Sequence, residues 1–146
     1  MSFVPRPRDL GPRVGIEQAS RRVDPAPGRW LVTWRIQNLG KRPLHIMTAR
    51  LPHGRFRSME RALTPAPQLL PGESTRLAAS VICREPPGTV VENAFLILRV
   101  LWRDEPWQIF ARFEVSFDEH GGPETTTKLI TTQPVGFSTG SKKRRS

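Results

Sequence analysis

Four stretches of this chain alternate apolar and polar residues: Arg29 to Leu39, Ser74 to Arg84, Asn93 to Trp102 and Trp107 to Phe117. Successive strand side chains point to opposite faces, so such alternation predicts strands with one buried and one wet face. In the first, Trp30, Val32, Trp34 and Ile36 share a face; in the second, Thr75, Leu77, Ala79, Val81 and Cys83 do. The last two runs flank Arg103-Asp104-Glu105-Pro106, which reads as a hairpin turn. Setting Trp102 opposite Trp107 aligns Val100 with Ile109, Leu98 with Ala111 and Leu96 with Phe113, all on one face.

Weaker patterns fill in the rest. Val14 to Ala19 reads as a first edge strand, and Pro43 to Leu51 as a strand of broken parity. There Leu44 and Ile46 fit one face and Met47, Ala49 and Leu51 the other, which a bulge near Thr48 reconciles. Pro25-Ala26-Pro27-Gly28, Asn38-Leu39-Gly40, Pro71-Gly72-Glu73-Ser74 and Glu85-Pro86-Pro87-Gly88 supply turns. Pro52 to Gln68 has the least pattern, with a short helical turn at Ser58–Leu63 capped by Ser58 as one reading. The expectation is an all-β, antiparallel Ig-like β-sandwich of about seven strands over residues 14–118. A Pro/Arg-rich flexible arm (1–13) precedes it, and a largely disordered basic tail (119–146) follows. Within that tail Leu129-Ile130 and Val135-Gly136-Phe137 form an apolar island.

Composition sharpens this picture little. The chain of 146 residues supports one domain, and no apolar run approaches the roughly 20 residues of a membrane helix. The N-terminus lacks the apolar stretch of a secretory signal, and the lone Cys83 suits a reducing compartment. Both point to a cytoplasmic protein. The net charge of +10 is dispersed: five arginines against three acids before Arg29, thirteen Lys/Arg against eight acids over Arg29–Asp118, five against two after it. Arginine dominates, nineteen to four over lysine, which fits either a compositional bias or recognition of phosphate and carboxylate.

The chemistry-bearing residues form no visible catalytic set. Gly136-Phe137-Ser138-Thr139-Gly140 matches the hydrolase nucleophile elbow, but no Asp or His follows it in the chain. His45, His53 and His120 have no partner at metal-ligand spacing, and Cys83 sits on an inward face as a small hydrophobe. Trp30 and Trp34 read as core, Trp102 and Trp107 as caps on the core edge or as a surface that stacks on a ligand. No catalytic residue, cofactor or metal is expected. Two sets of binding residues stand out. Phe95, Ile97, Arg99, Leu101, Phe110 and Arg112 make the outer face of the final hairpin too apolar for plain solvent, which suggests a partner contact. Arg55 and Arg57, with Lys142, Lys143, Arg144 and Arg145, could contact phosphate.

Trp34, Ile36, Asn38 and Gly40, followed by Pro71-Gly72-Glu73-Ser74, resemble the second-strand signature and later turn of bacterial Ig-like adhesion-type modules, the CARDB-like group. The resemblance covers Arg29 to Asp118; it implies an Ig-like fold and non-enzymatic binding and assigns no catalytic residue. Three functions stay open: a protein-interaction module using the outer hairpin face or an edge strand, by another protein or by self-association; a nucleic-acid-associated protein using dispersed arginines and the basic tail; and a small enzyme.

Overall fold

The structure is a computed structural model, and it describes residues 11–136. Nine strands run in chain order: β1 Val14–Val23, β2 Arg29–Asn38, β3 Leu44–His53, β4 Phe56–Ala62, β5 Gln68–Leu69, β6 Ser74–Ile82, β7 Val90–Trp102, β8 Glu105–Phe117 and β9 Pro123–Pro134. The described residues contain no helix, and none long and apolar enough to cross a membrane. All pairings are antiparallel, in the order β1-β2-β6-β4-β3-β7-β8-β9, with β5 on the flank of β3.

The all-β expectation therefore stands, while its count and layering do not match the seven-stranded, two-sheet arrangement. One sheet of nine strands curls into a nearly closed barrel around a single core. Two features produce the difference. A single pair, Arg57 with Ile82, joins the β1-β2-β6 group to the β4-β3-β7-β8-β9 group. At the other end, β9 reaches β1 through side chains: Thr127 Oγ1 donates to the Ile16 carbonyl at 2.7 Å, and Gln18 Nε2 to the Pro123 carbonyl at 3.1 Å.

Strand β9 also corrects the disordered tail expected from Glu119. It pairs with β8 from Phe117↔Pro123 to Trp107↔Pro134. Its threonines and Leu129-Ile130 are β-formers, and the open edge of β8 offers them a ladder. The helical turn at Ser58–Leu63 is likewise replaced by a strand, β4, because Phe56 is drawn fully into the core and fixes the chain as a hairpin partner of β3. Of the expected N-terminal arm, Gly11 and Pro12 are buried and the earlier residues lie outside the described ones.

The final hairpin keeps its faces but shifts its register by two. Trp102 pairs with Glu105, so Val100 faces Trp107, Leu98 faces Ile109 and Leu96 faces Ala111. The turn is two residues, not four: Arg103 and Asp104 both adopt positive φ, 56° and 61°, as a type I′ hairpin requires. A slip of two preserves which side chains face inward, which is why alternation alone could not detect it. In β3 the pairing with β7 shifts between Ile46 and Thr48, and Leu44, Ile46, Ala49 and Leu51 all reach the core.

At the centre of that core Trp34 is 0 % exposed. Its ring stacks on Phe113, with centroids 5.7 Å apart, and meets Phe56 edge-on at 6.3 Å. Trp102 and Trp107 meet edge-on at 5.5 Å near the rim. Asn38, the one buried polar side chain among the described residues, ties the β2 end together. Its Nδ2 donates to the carbonyls of Arg42 and Leu69, at 2.8 and 2.9 Å, and its Oδ1 accepts from Gly40 N at 2.9 Å. Gly72, at φ 87° in the expected turn, donates its N–H to the Asn38 carbonyl.

Candidate site at the β4–β6 opening

Among the neighbouring strands of the sheet, β4 and β6 share the thinnest backbone pairing. On its other side β4 pairs with β3, but toward β6 only Arg57 pairs, with Ile82. Beyond that pair the strands diverge and leave a cleft of about 600 Å³. Its apolar lining comes from Leu51, Pro52, Met59 and Ile82, and Met59 is 88 % exposed. A much smaller void behind it reaches Leu77 and Leu96 of the core.

Four arginines line the cleft: Arg29, Arg50, Arg57 and Arg61. Among the described residues none of the four is in an ion pair. Glu60, the one acid among the described residues of the lining, accepts a hydrogen bond from Thr48 Oγ1 at 2.7 Å. Arg61 donates to the Ala78 carbonyl on β6, so a side chain spans the gap that no backbone ladder closes. Ser80 donates to Asp24 Oδ2 at 2.7 Å. The Asp24 carboxyl is held below its ordinary value, first by the Ala26 N–H, then by Ser80, with smaller help from Arg29 and Arg22.

The expected binding residues fall into three places. Arg57 lies in the cleft, whereas its neighbour Arg55 is paired with Glu85 at 2.5 Å, across the gap between two turns. That bond lowers the Glu85 carboxyl and raises Arg55. Lys142, Lys143, Arg144 and Arg145 lie outside the described residues, as do Phe137 to Gly140 of the elbow-like motif.

Phe95, Ile97, Arg99, Leu101, Phe110 and Arg112 do share the outer face of β7–β8, with Ile97 opposite Phe110 and Phe95 opposite Arg112. The strip is better covered than its composition suggests: Ile97 is only 7 % exposed, and Phe95, Leu101 and Phe110 are half-buried. It is flanked by β3 and β9, where Arg50 pairs with Ile97 and Leu129 with Arg112. Arg50 thus belongs to both the strip and the cleft. The island residue Ile130 packs on the core from within β9 rather than lying over the strip. Cys83 is buried, which pushes its thiol up to about 11, with Glu85 adding to the rise.

Sequence reasoning missed Arg29, Arg50, Met59 and Arg61 as a group. The available signal was Arg57, Met59 and Arg61 at alternate positions with polar residues between them. That is an exposed strand whose charges guard an edge.

No family model matches the chain, and no curated protein matches it. One similar solved structure is described as "X-ray structure of Northeast Structural Genomics Consortium target SoR45". It is 17 % identical over 84 % of this chain and 83 % of that one, with a TM-score of 0.29.

Proposed function

We propose that this domain is a non-enzymatic protein-interaction module, and that it engages its partner along an edge strand, at the β4–β6 opening. The observation that carries the reading is the divergence of two strands beyond one bridging pair, with an exposed Met59 and four unpaired arginines around the gap. Strand edges with free backbone groups bind extended segments of other chains, the backbone giving affinity and the flanking side chains selectivity. An Ig-like ancestry fits the same layout: β1-β2-β6 and β4-β3-β7-β8-β9 are two strand groups held by one bridge, as two sheets pulled together at one edge would be.

Retention of a partner by the immobilised domain, compared among wild type, Met59→Glu and Phe110→Glu, tests the site. Loss with Met59→Glu and not with Phe110→Glu supports the opening. The reverse pattern moves the contact to the outer strip of β7–β8. Retention abolished by nuclease and by moderate salt points to nucleic acid instead.

A further inference from the structure

The chemistry of the opening narrows the partner. Resting on the edge-strand reading above, we propose that the cleft accepts an acidic, extended segment of a partner protein, which adds as a strand beside β4 and sets its carboxylates against Arg50, Arg57 and Arg61.

Arg61 is the central observation. It donates to the Ala78 carbonyl, an acceptor that a neighbouring strand would ordinarily satisfy with a backbone N–H. A long side chain is standing in for a strand at a place where β4 and β6 share no backbone pair. An incoming strand supplies the missing N–H to Ala78 and releases the Arg61 guanidinium. The freed group then needs an anion, and a carboxylate offers it a two-pronged, charge-assisted bond. The exchange replaces one side-chain hydrogen bond with a backbone bond to Ala78 and a two-pronged, charge-assisted bond on Arg61, provided that the strand is acidic.

The surrounding charges select in the same direction. Arg29, Arg50 and Arg57 join Arg61 in the lining, while Glu60 is turned to Thr48 and Asp24 to Ser80. A neutral strand laid here would desolvate guanidinium groups without pairing them, and a basic one would add repulsion. Charged residues on an edge normally prevent strand addition; here they prevent it for every strand lacking negative charge. The free stretch of β4, Ser58–Ala62, sets the length of the segment at about five residues, near the usual length of a strand. Leu51, Met59 and Ile82 give apolar contacts for the side chains that alternate with the carboxylates. Among the described residues no aromatic side chain lines the cleft, so they offer no stacking platform of the kind that single-stranded nucleic acid uses.

The test uses the full chain, isotope-labelled, with three synthetic peptides of about ten residues, the upper end of common strand length. Each alternates valine or threonine with one polar type: glutamate, glutamine or lysine. The glutamate peptide is expected to shift the amides of β4 beyond Arg57 and of Ala78–Ile82, and to bind about tenfold or more tightly than the glutamine one, a gap of roughly 1.4 kcal/mol. The preference should shrink at high salt and vanish in the Arg57→Gln, Arg61→Gln double variant, compared with Arg57→Gln alone and with each variant's fold checked by a cooperative melt, since Arg61 also bonds the Ala78 carbonyl. Equal shifts with glutamate and glutamine peptides overturn the acidic partner and leave edge addition standing. Glutamate-peptide shifts confined to other strands overturn both. No binding by any peptide, or displacement of the glutamate peptide from these amides by oligothymidylate, also overturns the proposal.

Discussion

Trp34 Nε1 donates a hydrogen bond to Thr125 Oγ1 at 3.0 Å, which links the second strand to the ninth through the interior of the barrel. Thr125 in turn donates, from both Oγ1 and its backbone N, to Gln18 Oε1 on β1, each at 2.8 Å. The seam between the first and last strands is therefore closed by a chain of side-chain bonds anchored on the central tryptophan. Trp34→Ala removes the stack with Phe113 and the edge contact with Phe56, and should cost about 3–5 kcal/mol in denaturant melts. Thr125→Val keeps the shape but leaves the indole N–H without its acceptor and Gln18 Oε1 with only the backbone N–H of residue 125, an expected loss of about 1–3 kcal/mol.

Truncation after Asp118 tests whether β9 belongs to the folding unit. It removes the ladder along the whole of β8, the Thr125 bonds, and Glu124, which pairs with Arg21 at 2.8 Å. It also uncovers Ile130's contacts with the core. We expect a truncated chain that is unfolded or aggregated, seen as loss of near-ultraviolet signal and of a cooperative melt. A melting temperature equal to the full chain's would show that β9 is a dispensable addition.

The inner faces of β2, β6, β7 and β8 were legible because each strand has one buried and one wet side. Val32, Trp34, Ile36, Leu77, Ala79 and Val81 all reach the core as their alternation requires. β4 was not legible, since Phe56 is its only buried residue and a single point has no period. β9 was hidden by its threonines and charges, which gain a place in the sheet only because β8 has an edge to fill. The cleft itself depends on where β4 and β6 stop pairing, and its arginines come from three different strands besides. No local pattern encodes such a juxtaposition. Arg57 was visible as a candidate; what gave it company was tertiary.

Asn38 illustrates a motif residue whose role is architectural. Its amide satisfies two carbonyls and one N–H at the junction of β2, β5 and the following turn. Asn38→Ala should destabilise by about 2–4 kcal/mol, since it strips partners from several backbone groups in a buried place. Urea melts of this variant, with Gln37→Ala as the exposed-face control, would measure it.

Acid stability should depend on Asp118. Its carboxyl is held below the ordinary 3.8 by the N–H groups of Gly122 and His120 and, less, by Arg21. A carboxyl whose pKa is lower in the folded state contributes stability above its unfolded value and loses it as pH falls through the folded one. The protein should therefore lose stability as pH drops below about 4, and Asp118→Asn should flatten that slope while lowering stability at neutral pH. An unchanged slope in the variant would assign the acid sensitivity to other carboxylates, of which Asp24 is the next to test.

The tight turn of the last hairpin holds two residues other than glycine at positive φ, a conformation in which a side chain crowds the backbone. Arg103 recovers part of that cost by placing its guanidinium 5.7 Å from the Trp102 ring centroid, a contact worth about 0.5–1 kcal/mol when exposed. Asp104 has no such contact, although a short acidic side chain tolerates the region better than most. Asp104→Gly should then stabilise the domain by about 0.5–1 kcal/mol, the relief of left-handed strain exceeding the added freedom of the unfolded chain. Asp104→Val should do the opposite, because a β-branched side chain fits this conformation worst. If the glycine variant melts no higher than wild type while the valine variant melts no lower, the two-residue turn is wrong. The register with Trp102 opposite Trp107 would then return.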